Sequence, residues 1–162
     1  MITYITETFD INDNNLLWEK FMCFMRLLLP WEEKQLIQLS YIQKIPVIAF
    51  IYSSEVMGDG HLQFLELYGE FIKKEDIIDA FKSLSISNKY IKNIEKLPTD
   101  FEPVPELVEK GLKDGVYHKE MKRIDEIYDV FDNCLYRYGN EEIDEKIIDY
   151  VHKHHLEFFS YK

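Results

Sequence analysis

The sequence predicts an all-α fold: a compact single-domain bundle of about seven to nine short and medium helices behind an irregular N-terminal arm. Three observations carry this. Apolar residues recur at steps of three and four along most of the 162-residue chain. The stripe Met121, Ile124, Tyr128, Phe131, Leu135 and Tyr138 keeps that rhythm longest. Finally, Glu55 to Glu70, EVMGDGHLQFLELYGE, breaks an apolar helical pattern with two glycines and an aspartate and then resumes it at once.

Ile2, Tyr4, Thr6 and Thr8 alternate only loosely, so the first dozen residues are read as an irregular arm. Asp13, Asn14 and Asn15 are helix-capping types, and the apolar run that follows them to Pro30 predicts a first, largely buried helix. Trp31 to Gln43 is amphipathic through Leu36, Ile37, Leu39 and Ile42, and Pro46 opens a further apolar helix through Val56. Gly58, Asp59 and Gly60 then form a tight interhelical turn, in which glycine supplies positive φ and Asp59 caps the helix of Leu62, Phe64, Leu65 and Tyr68. Short helices follow over Lys74–Leu84 and Asn88–Leu97, and Pro98 to Pro105 reads as a loop. Gly139 ends the long helix, and Asn140 caps a final one whose apolar side runs from Ile143 to Phe159.

Charge narrows the function classes. A net charge of −11 excludes a general nucleic-acid binder, because phosphate recognition depends on Lys and Arg displacing counterions, and it disfavours anionic membranes for the same reason. No apolar run reaches the roughly 20 residues a membrane span needs. Cys23 and Cys134 are far apart in the chain, which points to reduced thiols and a cytoplasmic setting.

No cofactor is expected. His152, His154, His155 and Cys134 lack ordinary zinc spacing, and neighbouring helical residues point about 100° apart. Gly58-Asp59-Gly60 lacks the Gly-Lys-Ser or Gly-Lys-Thr of a phosphate loop and the parallel-sheet context of a dinucleotide fingerprint. One enzymatic alternative uses His61, with Glu55 and Glu66 near it, as an acid/base cluster.

Negative charge concentrates toward the C-terminus, where residues 100–162 carry net −7 and residues 1–99 carry net −4. On the long helix, Asp125, Asp129 and Asp132 recur at i, i+4 and i+7 with Glu126 beside them, away from the apolar stripe. This row is either a solvated acidic face or a docking surface for a basic partner.

Glu55 to Gly69, with its glycine turn, Gln63-Phe64 and later glycine, resembles the signature of a bacterial all-helical family of unknown function. That signature has a Glu, then Asn-Gly-Gly, then Gln-Phe; here Met57-Gly58-Asp59-Gly60 stands at the turn. The likeness continues through Asp76 to Lys96, RIDEIYDVF and IIDYVHKHHLEFF, covering roughly residues 36–159 and leaving the first 35 outside. One branch of the family is a DNA mimic, whose acidic surface occupies the DNA-binding face of a helix-turn-helix repressor. The resemblance implies that Asp125, Glu126, Asp129 and Asp132 stand in for phosphates. The expectation is thus a non-enzymatic acidic interaction domain whose partner is a basic protein such as a DNA-binding regulator or a nuclease; the nuclease case would make it an immunity protein. Exposed aromatics could also support a homodimer.

Overall fold

The computed structural model describes residues 2–98 and 117–162, with side chains from residue 122 in the second stretch. Helix α1 (Asn14–Leu27) starts where the sequence places its cap, with the Asp13 carboxylate accepting from the amides of Asn15 and Leu16. It buries Leu17, Phe21, Phe24 and Met25. Helix α2 (Glu33–Ile37) is a single short turn, shorter than the amphipathic pattern through Gln43 suggests.

Helix α3 (Tyr41–Tyr68) begins at a capping box, in which the Ser40 hydroxyl accepts from the Gln43 amide and the Gln43 side chain accepts from the Ser40 amide. Pro46 lies inside this helix rather than opening it. At the sixth helical residue its missing N–H removes one hydrogen bond, and full burial of Val47, Ala49 and Ile51 outweighs that loss.

Helices α4 (Lys74–Ser83) and α5 (Asn88–Lys96) follow as expected, and Asp76 accepts from the Lys73 amide at the start of α4. The loop expected at Pro98 to Pro105 lies, beyond Pro98, outside the described residues. Helix α6 (Tyr117–Tyr138) is the long helix, ended by Gly139 at φ 69°. Helix α7 (Glu141–Lys153) carries Glu141, Glu142 and Asp144 in its first turn, where the helix's positive end favours exposed carboxylates such as Glu141. Asn140 precedes it without a side-chain capping bond. Eight helices are therefore present among the described residues, the last being α8 (His155–Phe158).

Two expectations are corrected at the termini. The arm contains a strand, β1 (Tyr4–Thr6), and the final apolar run ends in strand β2 (Phe159–Tyr161) rather than continuing as helix. They pair in parallel, Tyr4 opposite Phe159 and Thr6 opposite Tyr161. Gln43, fully buried, explains the arrangement: its amide nitrogen donates to the carbonyls of Ile2 at 2.6 Å and Glu157 at 2.5 Å. One side chain at the start of α3 thus satisfies backbone at both ends of the chain. Nothing in hydrophobic periodicity reports such a bond.

The core is one connected cluster in which Phe21 meets Phe50 and Phe158 edge to face, while Tyr52 and Phe64 of α3 and Phe81 of α4 form a second aromatic group between those two helices. Helix α6 closes one side of this core with Ile124, Tyr128 and Leu135. From α5, the Asn93 amide donates to the Phe131 carbonyl at 3.2 Å and the Tyr90 hydroxyl to the Gly139 carbonyl at 3.1 Å. These bonds set which side of α6 faces outward.

Candidate functional site: an acidic face and a buried Tyr–His–Asp node

The glycine break is a sharp corner within α3. Gly60 sits at φ 84°, ψ 172°, whereas Gly58 keeps helical geometry and has open space where a Cβ would lie. The Tyr68 hydroxyl lies close enough to the Glu55 carboxylate for each to shift the other's titration. Thirteen residues along a straight helix span about 20 Å, so such proximity requires the second half of α3 to fold back. Only glycine takes the Gly60 conformation without strain, and a Cβ there would also come 2.6 Å from Asp132 Oδ2.

The corner leaves a helix start without a partner for its amides, and the group that satisfies it comes from α6. Asp132 Oδ1 accepts from the His61 amide at 2.8 Å and also from the His61 ring at Nδ1. The other ring nitrogen, Nε2, meets the Tyr52 hydroxyl at 2.7 Å. The capping role expected of Asp59 therefore belongs, at His61, to Asp132. With Nδ1–H on the carboxylate, Nε2 of a neutral ring is the acceptor and Tyr52 the donor. Burial, followed by the charge of Asp132, pushes the Tyr52 phenol far up, which keeps that proton in place.

His61 and Tyr52 are fully enclosed, and the Asp132 side chain is 15% exposed. Phe131 and Phe64 pack edge-on against His61 and Tyr52 respectively. The node is thus a short polar chain sealed in apolar surroundings, where each hydrogen bond is strong and each missing partner costly.

Asp125, Glu126 and Asp129 remain exposed, as their positions on the helix predict; Glu126 lies 3.9 Å from Lys122. Asp132 departs from that expectation by turning inward. Asp59, exposed on the α3 corner, takes its place at the edge of the face. Tyr136 registers the convergence: its phenol is raised first by burial and then by the charges of Asp132, Asp59 and Asp129. Carboxylates of the α3 corner and of α6 therefore bear on the same side chain.

The histidine of the enzymatic alternative has a carboxylate partner, though neither of the two expected. Glu55 lies near Tyr68, and its carboxyl is raised by burial, against the lowering effect of the Tyr68 hydroxyl, and further by the charge of Asp59. Glu66 is raised by burial. Both His61 nitrogens already have protein partners, and no part of the ring reaches the surface. Near the C-terminus, His154 packs at a tilt against Tyr150 and His155 lies near Tyr161. Among the described residues, no group of three or more His, Cys, Asp or Glu side chains is placed to hold a metal ion. No described helix is long and apolar enough to cross a membrane.

A family model described as DMP19-like protein matches residues 37–154. The chain belongs to the DMP19-like protein family. No curated protein and no solved structure gives a match. The DMP19-like region spans α3 through α7, so it contains the folded corner, the buried node and the acidic row. Helix α1 and both strands lie outside it.

Sequence reasoning placed Gly58, Asp59 and Gly60 at the turn but missed Tyr52 and the inward role of Asp132. A signal for the latter existed in the long DMP19-like helix. At about 100° per residue, Asp132 lies only about 40° around the helix from buried Tyr128, and Asp129 about 100° from it. Its partner, 71 residues earlier, left no local trace.

Proposed function

We propose that this DMP19-like chain is a non-enzymatic interaction domain that presents an acidic, two-helix face to a basic protein, with DNA mimicry as its most specific form. The observation that carries the reading is the exposed row of Asp125, Glu126 and Asp129 on α6, extended onto the α3 corner by Asp59. It occurs in a chain of net charge −11. Carboxylates on a rigid helix are spaced by its turns, about 6 Å along the axis for four residues, and can meet arginine and lysine through charge-assisted hydrogen bonds. The family membership supports the same reading, since the helices it covers are the ones that build the face.

The mechanism is electrostatic. Opposed charge speeds encounter and selects the partner's cationic surface, while apolar contacts at the edge, such as Tyr136, would add residence time. A partner so covered loses the surface with which it would hold phosphates. Capture from the native lysate should recover a basic, DNA-binding protein whose association weakens steeply with salt, because exposed charges are screened within about 8–10 Å at physiological ionic strength. Changing Asp125 and Asp129 to Lys should abolish the complex without unfolding the chain. Binding that survives this reversal would end the proposal.

A further inference from the structure

We infer that Asp132, although it belongs by spacing to the acidic row, is a positioning residue: it locks α6 onto the folded corner of α3 and thereby fixes the face that Asp125, Glu126, Asp129 and Asp59 present. The inference rests on the proposed binding role of that face, and it assigns the fourth aspartate a different task.

Three observations lead to it. The Asp132 carboxylate is committed twice to one residue, His61, through the amide at 2.8 Å and through Nδ1. The ring is braced from behind by the Tyr52 hydroxyl, so it cannot turn without unpairing a buried group on α3. And Gly60 leaves the space that Asp132 fills, since a Cβ there would stand 2.6 Å from its Oδ2. A carboxylate in this position links the bent half of α3 to α6 beside Gly60, the residue next to Asp59. Held there, exposed carboxylates on two separate helices keep a fixed mutual geometry, and a partner's cations meet them without first ordering the helices. Helices α3 and α6 also pack on each other, as where Phe131 meets the His61 ring, and Asn93 and Tyr90 bond to the Phe131 and Gly139 carbonyls from α5. The Asp132 carboxylate adds the hydrogen bonds that tie α6 to the start of the bent half of α3.

Charge and hydrogen bonding can be separated at this position. Asp132→Asn removes the charge but keeps an oxygen able to accept from the His61 amide, whereas Asp132→Leu removes both. The full chain, with Cys23 and Cys134 changed to Ser, is spin-labelled through Gly58→Cys, where a Cβ meets open space, and Asn133→Cys, an exposed site on α6. Interspin distance distributions are recorded beside exchange of the His61 amide and binding of an oligo-arginine peptide at low salt.

For a positioning residue, Asp132→Asn keeps a narrow distribution, a slowly exchanging His61 amide and near-original peptide affinity, while Asp132→Leu broadens the distribution, speeds exchange and weakens binding. Tyr52→Phe, which changes no charge, shifts all three readouts the same way to a smaller extent. Asp129→Asn weakens peptide binding and leaves distance and exchange unchanged. The inference is overturned if Asp132→Asn and Asp132→Leu weaken binding equally with distances unaltered, since Asp132 would then act as a contact charge. If the peptide fails to bind even the parent chain, the proposed binding role falls, and the distance and exchange data still decide whether Asp132 locks the helices.

Discussion

Asp129 and Asp132 lie one turn apart on the same helix, have the same chemistry, and end in opposite environments. Asp129 faces solvent, and Asp132 is drawn into a buried node with His61 and Tyr52. The difference comes from what stands opposite each of them. Beside Asp132, α3 folds at Gly60 and leaves an amide that needs an acceptor, and beside Asp129 there is water. Spacing along a helix says which side chains share a direction, but only the neighbouring element decides whether a carboxylate becomes surface charge or structural hydrogen bond.

The largest test of that contrast is Gly60→Ala. The new side chain would occupy a left-handed backbone position and strike the Asp132 carboxylate, so strain and a lost buried hydrogen bond act together. Destabilisation of about 3 kcal/mol is expected in urea unfolding at neutral pH. Next comes Asp132→Ala, which leaves the His61 amide and ring without their acceptor in a closed site. Its expected cost is about 2 kcal/mol by the same measurement. A loss below about 0.5 kcal/mol, the usual range for surface changes, would mean that Asp132 belongs with Asp129 after all.

Asp144, in the first turn of α7, offers an intermediate case. Burial, with the charge of Glu141 added, raises its carboxyl to about 6 from the ordinary 3.8. Between these values the folded chain binds the proton more tightly than the unfolded one, so this group's contribution to stability falls as pH rises from about 4 to about 6. Asp144→Asn should flatten that part of the pH–stability curve. It should also raise stability at pH 7 by about 1 kcal/mol, a value reduced for solvent screening of a half-exposed group. An unchanged slope between pH 4 and pH 6 would remove Asp144 as its source.

How much of this was legible in the sequence follows from the range of each interaction. Helices α4 and α5, the Asp13 cap and the Gly139 stop are written in neighbouring residues, because propensity, capping and apolar spacing act within a few positions. The corner at Gly60 was legible for the same reason. The β1–β2 pair, the Gln43 bonds to both chain ends and the His61–Asp132 node depend on residues 41 to 155 positions apart. No local pattern specifies such partners. Asp132 was therefore read by its own helix alone, and Asp59 was assigned a cap that an aspartate on another helix provides.

Gly58→Ala separates the two glycines of the turn. Gly58 is helical, exposed and unobstructed, so alanine should stabilise the chain by about 0.5–1 kcal/mol through its higher helix propensity. The opposite signs expected at Gly58 and Gly60 would locate the conformational demand of the motif at a single residue.

The smallest effect on stability is expected at Asp129, where it carries the most functional weight. Asp129→Ala removes an exposed carboxylate near Asp59 and Asp132, and relief of mutual repulsion offsets whatever solvation is lost. Urea midpoints should therefore remain within the small range of surface substitutions. Affinity for a basic partner should nevertheless fall, and its dependence on salt should become shallower because one charge fewer contributes to the attraction. Stability and binding would then be divided between two aspartates one helical turn apart. A variant at Asp129 that lost stability as Asp132→Ala does would show that the exposed row also holds α6 in place, and the contrast between the two positions would disappear.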